Sequence, residues 1–571
     1  MISPSDEQAW LRGPPLPGGV ASSLWAELLD GDPSQPWLVF HTGTVRTTLS
    51  RADVAARALG WAAALRQACP GLQRVGVLLP NGPDFVAAFF AAQALGAVAV
   101  PLPWPVVDGA PDKLIESLRP VLGRARLDVL ATTPGCAAVD WGTPVVTEGS
   151  AKPFVPGEVE GPLAFMQFTS GSTGDPRGAV ISQRAALGSA RAMASALGLG
   201  PSDVGVSWLP FFHDMGLVGV LLTSLVARFP VHVLRPGDFL MRPRRWLDLV
   251  SSERATLTVG PNFAWELLVR RVAADGLDLS SLRCALNGSE PIHRTTLDGF
   301  TTKFAPAGFK ADAFLSVYGL AEATLGVAFS RPGAPKPDLD VAGRPVPCVG
   351  AVLPGIELCV ADADGRVKRP GEEGELCVRG PTVMSGYFEH ADATAATMRG
   401  DWLRTGDLGV VRGGTVYVTG REKELVIQAG RKFHPYDIER VVAAMVEATP
   451  NGVAAVSRPD AAQGSEGLVV VIELRRVSGA IDPMLIKGEL LRVLGVRADV
   501  IEFVPAGTLP RTTSGKVKRK AISTGVSSVS LSPLSGAGSP GADQKARQGE
   551  APPEAGAPRG EDRLGERPAQ P

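Results

Sequence analysis

The sequence predicts an α/β protein. It has a large N-terminal domain of doubly wound sheets carrying a β-rich subdomain, and a small α+β C-terminal domain. Two observations predict this. Short apolar runs alternate with longer helical stretches through the first three hundred residues, the pattern of parallel strands joined by crossover helices. From about residue 340 the texture changes to short strands separated by Gly, Pro and Asp.

The elements follow in order. Ser50 is placed to cap an alanine-rich helix over Arg51–Gln67. Val75–Leu79 is a short apolar strand, a helix runs from about Pro83 to Leu95, and Ala97–Val100 is the next strand. From Phe85 to Val107 no residue is charged, a length that could span a bilayer. Gly96 and the prolines 101, 103 and 105 interrupt it, so helix then strand is the better reading. Val231–Leu234 and Thr256–Val259 read as strands with one helix, Phe239–Arg254, between them. Ile356–Val360 and Gly374–Arg379 are strands of the β-rich part. Gly420 marks a boundary after the strand Thr415–Val418. The divisions are therefore 1–419, 420–524, and a tail, 525–571, whose Ser, Gly, Pro and Ala content cannot bury enough apolar surface to order it.

Composition narrows the function. Of 571 residues, 45% are hydrophobic and 20% charged, as in soluble globular proteins. A formal net charge of -1 gives no electrostatic case for nucleic acid or an anionic membrane. The N-terminus lacks the pattern of a signal peptide. Six cysteines without C-x-x-C spacing read as free core thiols of a reducing, cytoplasmic compartment. The six histidines are scattered and show no metal cluster.

The most informative run is Phe168-Thr169-Ser170-Gly171-Ser172-Thr173-Gly174-Asp175-Pro176-Arg177-Gly178, directly after the apolar strand Leu163–Met166. Small hydroxyl residues interleaved with glycines let backbone N–H groups and hydroxyls approach phosphate oxygens. It is not a Walker loop, because Pro176 and Arg177 stand where that motif needs Gly and Lys.

Further along stand Tyr318-Gly319-Leu320-Ala321-Glu322-Ala323-Thr324, Trp402-Leu403-Arg404-Thr405-Gly406-Asp407, Gly420-Arg421-Glu422-Lys423-Glu424 and Pro510-Arg511-Thr512-Thr513-Ser514-Gly515-Lys516. Together with the phosphate loop, and in this order, they resemble the signatures of the adenylate-forming superfamily of acyl-CoA synthetases, peptide-synthetase adenylation domains and luciferases. The resemblance covers roughly residues 20 to 523.

The resemblance implies ATP and Mg²⁺ as cofactors and a role for each motif. Thr169, Ser170, Gly171, Ser172, Thr173 and Gly174 would hold the β- and γ-phosphates, with Arg177 as the neighbouring cation. Glu322, with Thr169, would hold the magnesium. Tyr318, with Gly319 beside it, would stack on adenine against the loop Gly288-Ser289-Glu290. Asp407 would accept the ribose hydroxyls, supported by Arg421. Lys516 would bridge the substrate carboxylate and the α-phosphate. Lys423 would be the hinge on which a mobile C-terminal domain pivots.

Ser207-Trp208-Leu209-Pro210-Phe211-Phe212-His213-Asp214-Met215-Gly216-Leu217 is similar to the fatty acyl-AMP ligase branch. That branch activates medium or long fatty acids and passes them to an acyl carrier protein. His213 would then lie beside the carboxylate, with Asp214 orienting it or capping a helix. Trp208, Phe211, Met215 and Phe263 either line an acyl pocket or simply pack the core. The stretch Ser330–Pro354 is compact where that branch carries an insertion, so coenzyme A stays open as the acceptor, as does a catalytically silent relative.

Overall fold

The computed structural model describes residues 8–105, 111–156, 161–169, 176–341, 344–428, 431–460, 465–474, 481–511 and 517–525. Two sheets dominate. The smaller runs Val145–Val146, Val129–Thr132, Arg74–Leu78, Val98–Pro101, Leu163–Thr169 and Arg177–Ser182 in spatial order. All its neighbours are parallel except the last pair, which is antiparallel. The larger sheet has a parallel centre, Pro36–Thr42, Val231–Leu234, Gly205–Ser207, Leu257–Gly260, Cys284–Asn287 and Phe314–Leu320.

Local chemistry sets the helices. Ser50 caps the helix Arg51–Ala68 through a reciprocal capping box with Asp53: the Asp53 N–H donates to Ser50 Oγ at 3.1 Å and the Ser50 N–H to Asp53 Oδ2 at 2.8 Å. The uncharged stretch after Asp84 opens in the helix Pro83–Ala94, buried on every side from Phe85 onward as expected of a helix apolar all round in a large core, and continues into the strand Val98–Pro101. Among the described residues no helix is long and apolar enough to cross a membrane. The one buried polar side chain of that helix, Gln93, donates to the Ala164 carbonyl and accepts from Gln183, each at 2.8 Å. Gln183 in turn accepts from the Leu24 N–H. This relay satisfies groups that would be costly to bury unpaired.

One expectation changes. The single helix Phe239–Arg254 is two helices, Pro236–Met241 and Arg244–Ser252. Pro243 disfavours helical dihedrals at Arg242, which sits at φ -137°, ψ 74°. The β-rich subdomain is continuous with the large sheet. Leu325–Phe329 pairs antiparallel with both Phe314–Leu320 and Cys348–Val352, so the strands Glu357–Ala361, Gly374–Arg379, Trp402–Arg412 and Thr415–Arg421 prolong the large sheet. The expected tail lies outside the described residues apart from Gly525.

Residues 426–522 have apolar clusters of their own. One packs Val426, Ile438, Val442, Val470, Ile472, Ile486 and Leu490. It lies on the three-stranded sheet Ala448–Asp460, Ser465–Leu474 and Val500–Pro505. The guanidinium of Arg519, 16% exposed, donates to Glu439 and reaches Glu424 at 3.0 Å. Polar contacts join this part to the large sheet's side. Arg270 donates to the Ala448 carbonyl at 3.0 Å, and Arg344 pairs with Asp437 at 2.9 Å.

Ser50→Ala removes the cap and one side of the capping box. It is expected to lower stability by about 1 kcal/mol, read as a shift in the midpoint of denaturant unfolding followed by circular dichroism.

Candidate active site

A cavity of about 1840 Å³ opens where the two sheets and the C-terminal residues meet. Thr169 and Arg177 are register partners at the end of the hairpin that carries the phosphate-loop motif, and both line this cavity. Ser170, Gly171, Ser172, Thr173 and Gly174 lie outside the described residues, as does Lys516. The Arg177 guanidinium stacks 5.5 Å over the Tyr387 ring. Its buried Nε has no partner among the described residues. An orphaned cationic donor at a cavity wall fits an anionic ligand.

Opposite stands the turn after Phe314–Leu320. A bulge at Tyr318/Gly319 re-aims the strand's end. Gly319 is required there, because a Cβ would lie 1.7 Å from the Leu325 carbonyl oxygen. Glu322 follows on a 3₁₀ turn closed by Thr324 in the left-handed region. Two hydrogen bonds brace the turn: Ser189 Oγ donates to the Thr324 carbonyl at 2.6 Å, and Thr324 Oγ1 donates to the Thr382 carbonyl at 2.5 Å. Glu322 Oε1 accepts the Tyr387 hydroxyl at 2.7 Å. Burial and the Glu322 charge push the Tyr387 phenol upward, so it stays a neutral donor. Sequence reading missed Tyr387; the Gly386-Tyr387 pair stands alone in a loop and carries no pattern that chemistry demands. The donors Thr169 and Glu322 are all-oxygen, the set a hard divalent cation takes.

Asp407 is 5% exposed. Its Oδ2 accepts the Tyr318 hydroxyl at 2.8 Å and its Oδ1 accepts Arg421 Nε at 2.7 Å. Burial, then the Asp407 charge, hold the Tyr318 phenol well above its usual range, and Asp407 raises the Arg421 guanidinium. Tyr318 is thus fastened by its hydroxyl, with its ring at the cavity wall. Lys423 lies on the next turn, Glu422–Glu424, also at the wall.

The loop 288–290 is shaped by its own packing. A Cβ on Gly288 would meet Val317 Cγ2 at 2.5 Å, so the neighbouring strand alone demands glycine there. Ser289 takes a left-handed φ of 69°. Glu290 accepts the Phe263 N–H at 3.0 Å, at the start of the helix Asn262–Arg271, and Asn451 at 3.3 Å. Its carboxylate braces the loop. Ser289 and Glu290 still border the cavity.

His213 lines the cavity, with Nδ1 2.6 Å from Asp214 Oδ1; Asp214 also accepts the Met215 N–H at 2.7 Å. Asn81 and Gln167 hold this loop through the backbone of Leu209, Phe211 and Phe212. Apolar side chains, among them Met215, Val220 and Phe229, line the same cavity. Val220 belongs to a π-helical segment, Leu217–Leu222, a geometry often kept at functional sites.

The other expected pocket aromatics do not line the cavity. Trp208 stacks on Phe239 with centroids 4.0 Å apart, and Phe263 sits edge-on to Trp208. Phe211 is fully buried against Phe85. They pack behind the wall, whereas Met215 borders the cavity.

Residues 29–388 match the family model described as AMP-binding enzyme. A 4-hydroxyphenylalkanoate adenylyltransferase of Mycobacterium tuberculosis is 34% identical over 514 residues, 78% of this chain and 81% of that one. The medium-chain-fatty-acid–acyl-carrier-protein ligase JamA of Moorena producens is 30% identical over 531 residues, covering 83% and 89%. A structure from a study of fatty acyl-adenylate ligases of E. coli and L. pneumophila aligns with a TM-score of 0.80 at 31% identity. That alignment covers 88% of this chain and 98% of that one.

Phe211→Ala opens a core void and is expected to cost about 3–5 kcal/mol of stability in denaturant unfolding. Met215→Ala, at the cavity wall, is expected to cost clearly less in the same measurement.

Proposed function

The chain belongs to the AMP-binding enzyme family, and on that premise we propose that it activates a medium- or long-chain fatty acid as the acyl-adenylate and passes the acyl group to an acyl carrier protein. One observation carries this reading. A single cavity is lined both by the polar Arg177, Glu322 and Asp407 and by the apolar Met215, Val220 and Phe229, which together suit an adenylate and an alkyl chain. Each methylene buried against such apolar side chains contributes roughly 0.8 kcal/mol.

The substrate carboxylate is already ionised at neutral pH, so the first step needs no general base. A carboxylate oxygen attacks the α-phosphorus of ATP, the bond to the β-phosphate bridge breaks, and pyrophosphate leaves. The protein's work is to hold two anions together and to spread the charge that develops. Arg177 and Thr169, with Ser170–Gly174, take the phosphates; Asp407 takes the ribose hydroxyls; His213 stands by the carboxylate. Mg²⁺, when bound at Glu322 and Thr169, supplies electrostatic stabilisation of the phosphoryl oxygens. Lys516 bridges carboxylate and α-phosphate. In the second step a thiolate attacks the acyl carbon and AMP departs. Residues 1–419 serve as the adenylation domain and 420–524 as a lid that pivots at Lys423, removing Lys516 and admitting the thiol. The reading places the enzyme in the cytoplasm.

A second reading has one observation in its favour. Between Phe329 and Cys348 the described chain forms only the short ribbon Leu339–Val341 with Arg344–Val346, consistent with coenzyme A as acceptor.

The test is mass spectrometry of enzyme, Mg-ATP and a panel of fatty and hydroxyphenylalkanoic acids, with coenzyme A or a phosphopantetheinylated carrier protein. Acyl-adenylate and acyl-carrier without acyl-CoA is the expected result; acyl-CoA would install the second reading. Lys516→Ala is expected to abolish acyl-adenylate formation while leaving ATP binding largely intact. Tyr387→Phe keeps the ring under Arg177 but removes a hydrogen bond to a carboxylate. It is expected to raise the Mg²⁺ concentration for half-maximal rate by about tenfold, with a smaller change in KM for ATP.

A further inference from the structure

His41 and His232 are 191 residues apart in sequence and meet on two strands just inside the edge strand Val45–Ser50 of the large sheet. Their strands, Pro36–Thr42 and Val231–Leu234, are parallel neighbours in which His232 pairs with Val39 and His41 with Leu234. The two histidines are therefore diagonal neighbours on one face. Their rings stack at 5.3 Å with a 28° tilt, and His41 Nε2 lies 3.1 Å from His232 Nδ1. Glu253, at the C-terminal end of the helix Arg244–Ser252, brings Oε2 to 3.5 Å from His232 Nε2. One donor atom from each of the three residues lies within 4.8 Å of the others. None of the three lines the active-site cavity.

We propose that His41, His232 and Glu253 form a binding site for a divalent transition ion of the Zn²⁺ class, bracing these two strands to the end of that helix. One ion takes one nitrogen of His232; with one donor atom from each of the three residues within 4.8 Å of the others, small side-chain rotations bring them to the bond lengths of about 2.0–2.2 Å that such an ion takes. Imidazole and carboxylate are ligands of such ions, with a water completing the fourth position. His232 is buried, whereas His41 and Glu253 are partly exposed, so the ion has a way in. The nearby cations do not close the site. Arg46 engages the other carboxylate oxygen, Oε1, at 3.2 Å. Arg245 is turned to Asp238 and to the Gly43 carbonyl. Sequence reading found no cluster because the three donors come from distant elements that only the sheet order brings together.

The test uses the full chain, free of any affinity tag and stripped with a chelator. Zn²⁺ stoichiometry is measured by equilibrium dialysis, and Co²⁺ is used as a spectroscopic probe. The wild type is expected to bind one ion more than His41→Ala or Glu253→Gln, to show the visible bands of tetrahedral Co²⁺, and to melt at higher temperature with Zn²⁺. Both variants are expected to keep the metal-free melting temperature within a few degrees and to lose the Zn²⁺ shift. Equal stoichiometry in wild type and variants, or no binding by the wild type, would overturn the site. Neither result bears on the adenylation reading.

Discussion

The arrangement depends on one buried carboxylate. Asp407 sits in a strand of the antiparallel extension, Tyr318 at the end of a strand of the parallel centre, and Arg421 at the last residue of the strand leading into the C-terminal part. A buried carboxylate is tolerated only where donors replace water, and here a phenol and a guanidinium do so at 2.8 and 2.7 Å. Satisfying Asp407 therefore fixes where three chain segments converge. The bulge that lets Tyr318 reach it also turns the next residues back on themselves, which brings Glu322 to the cavity.

Much of this was legible in the sequence, and the reasons are local. Ser50 and Asp53 stand three residues apart ahead of an alanine-rich run, so the helix start is written in the chain. The short β-branched runs became parallel strands because helices of sufficient length separate them. Glu322, Asp407 and Arg421 each lie inside a motif, and the fold gathers them at one cavity.

What stayed hidden depends on packing partners distant in sequence. Nothing in the run Trp208–Met215 says which side chains face in; Trp208 is claimed by Phe239 and Phe211 by Phe85. The need for glycine at 288 comes from Val317 on the neighbouring strand, which excludes a side chain there. Tyr387 acquires its role only because the loop after Arg379 is laid across the strand Arg177–Ser182, where Tyr387 bridges to Ala179. The break at Pro243 was visible in principle, but the apolar periodicity on both sides of it favoured continuity.

The Arg519 guanidinium joins Glu424 and Glu439, so the C-terminal segment begins and ends at nearly the same place. A stretch of chain whose entry and exit are stapled together can be exchanged as a cassette: its interior can diverge or be swapped for a homologous piece without re-routing the host. For recombination, whether natural or in the laboratory, the productive crossover points would flank this staple, and chimaeras cut inside it would strand a charged guanidinium or carboxylate without its mate.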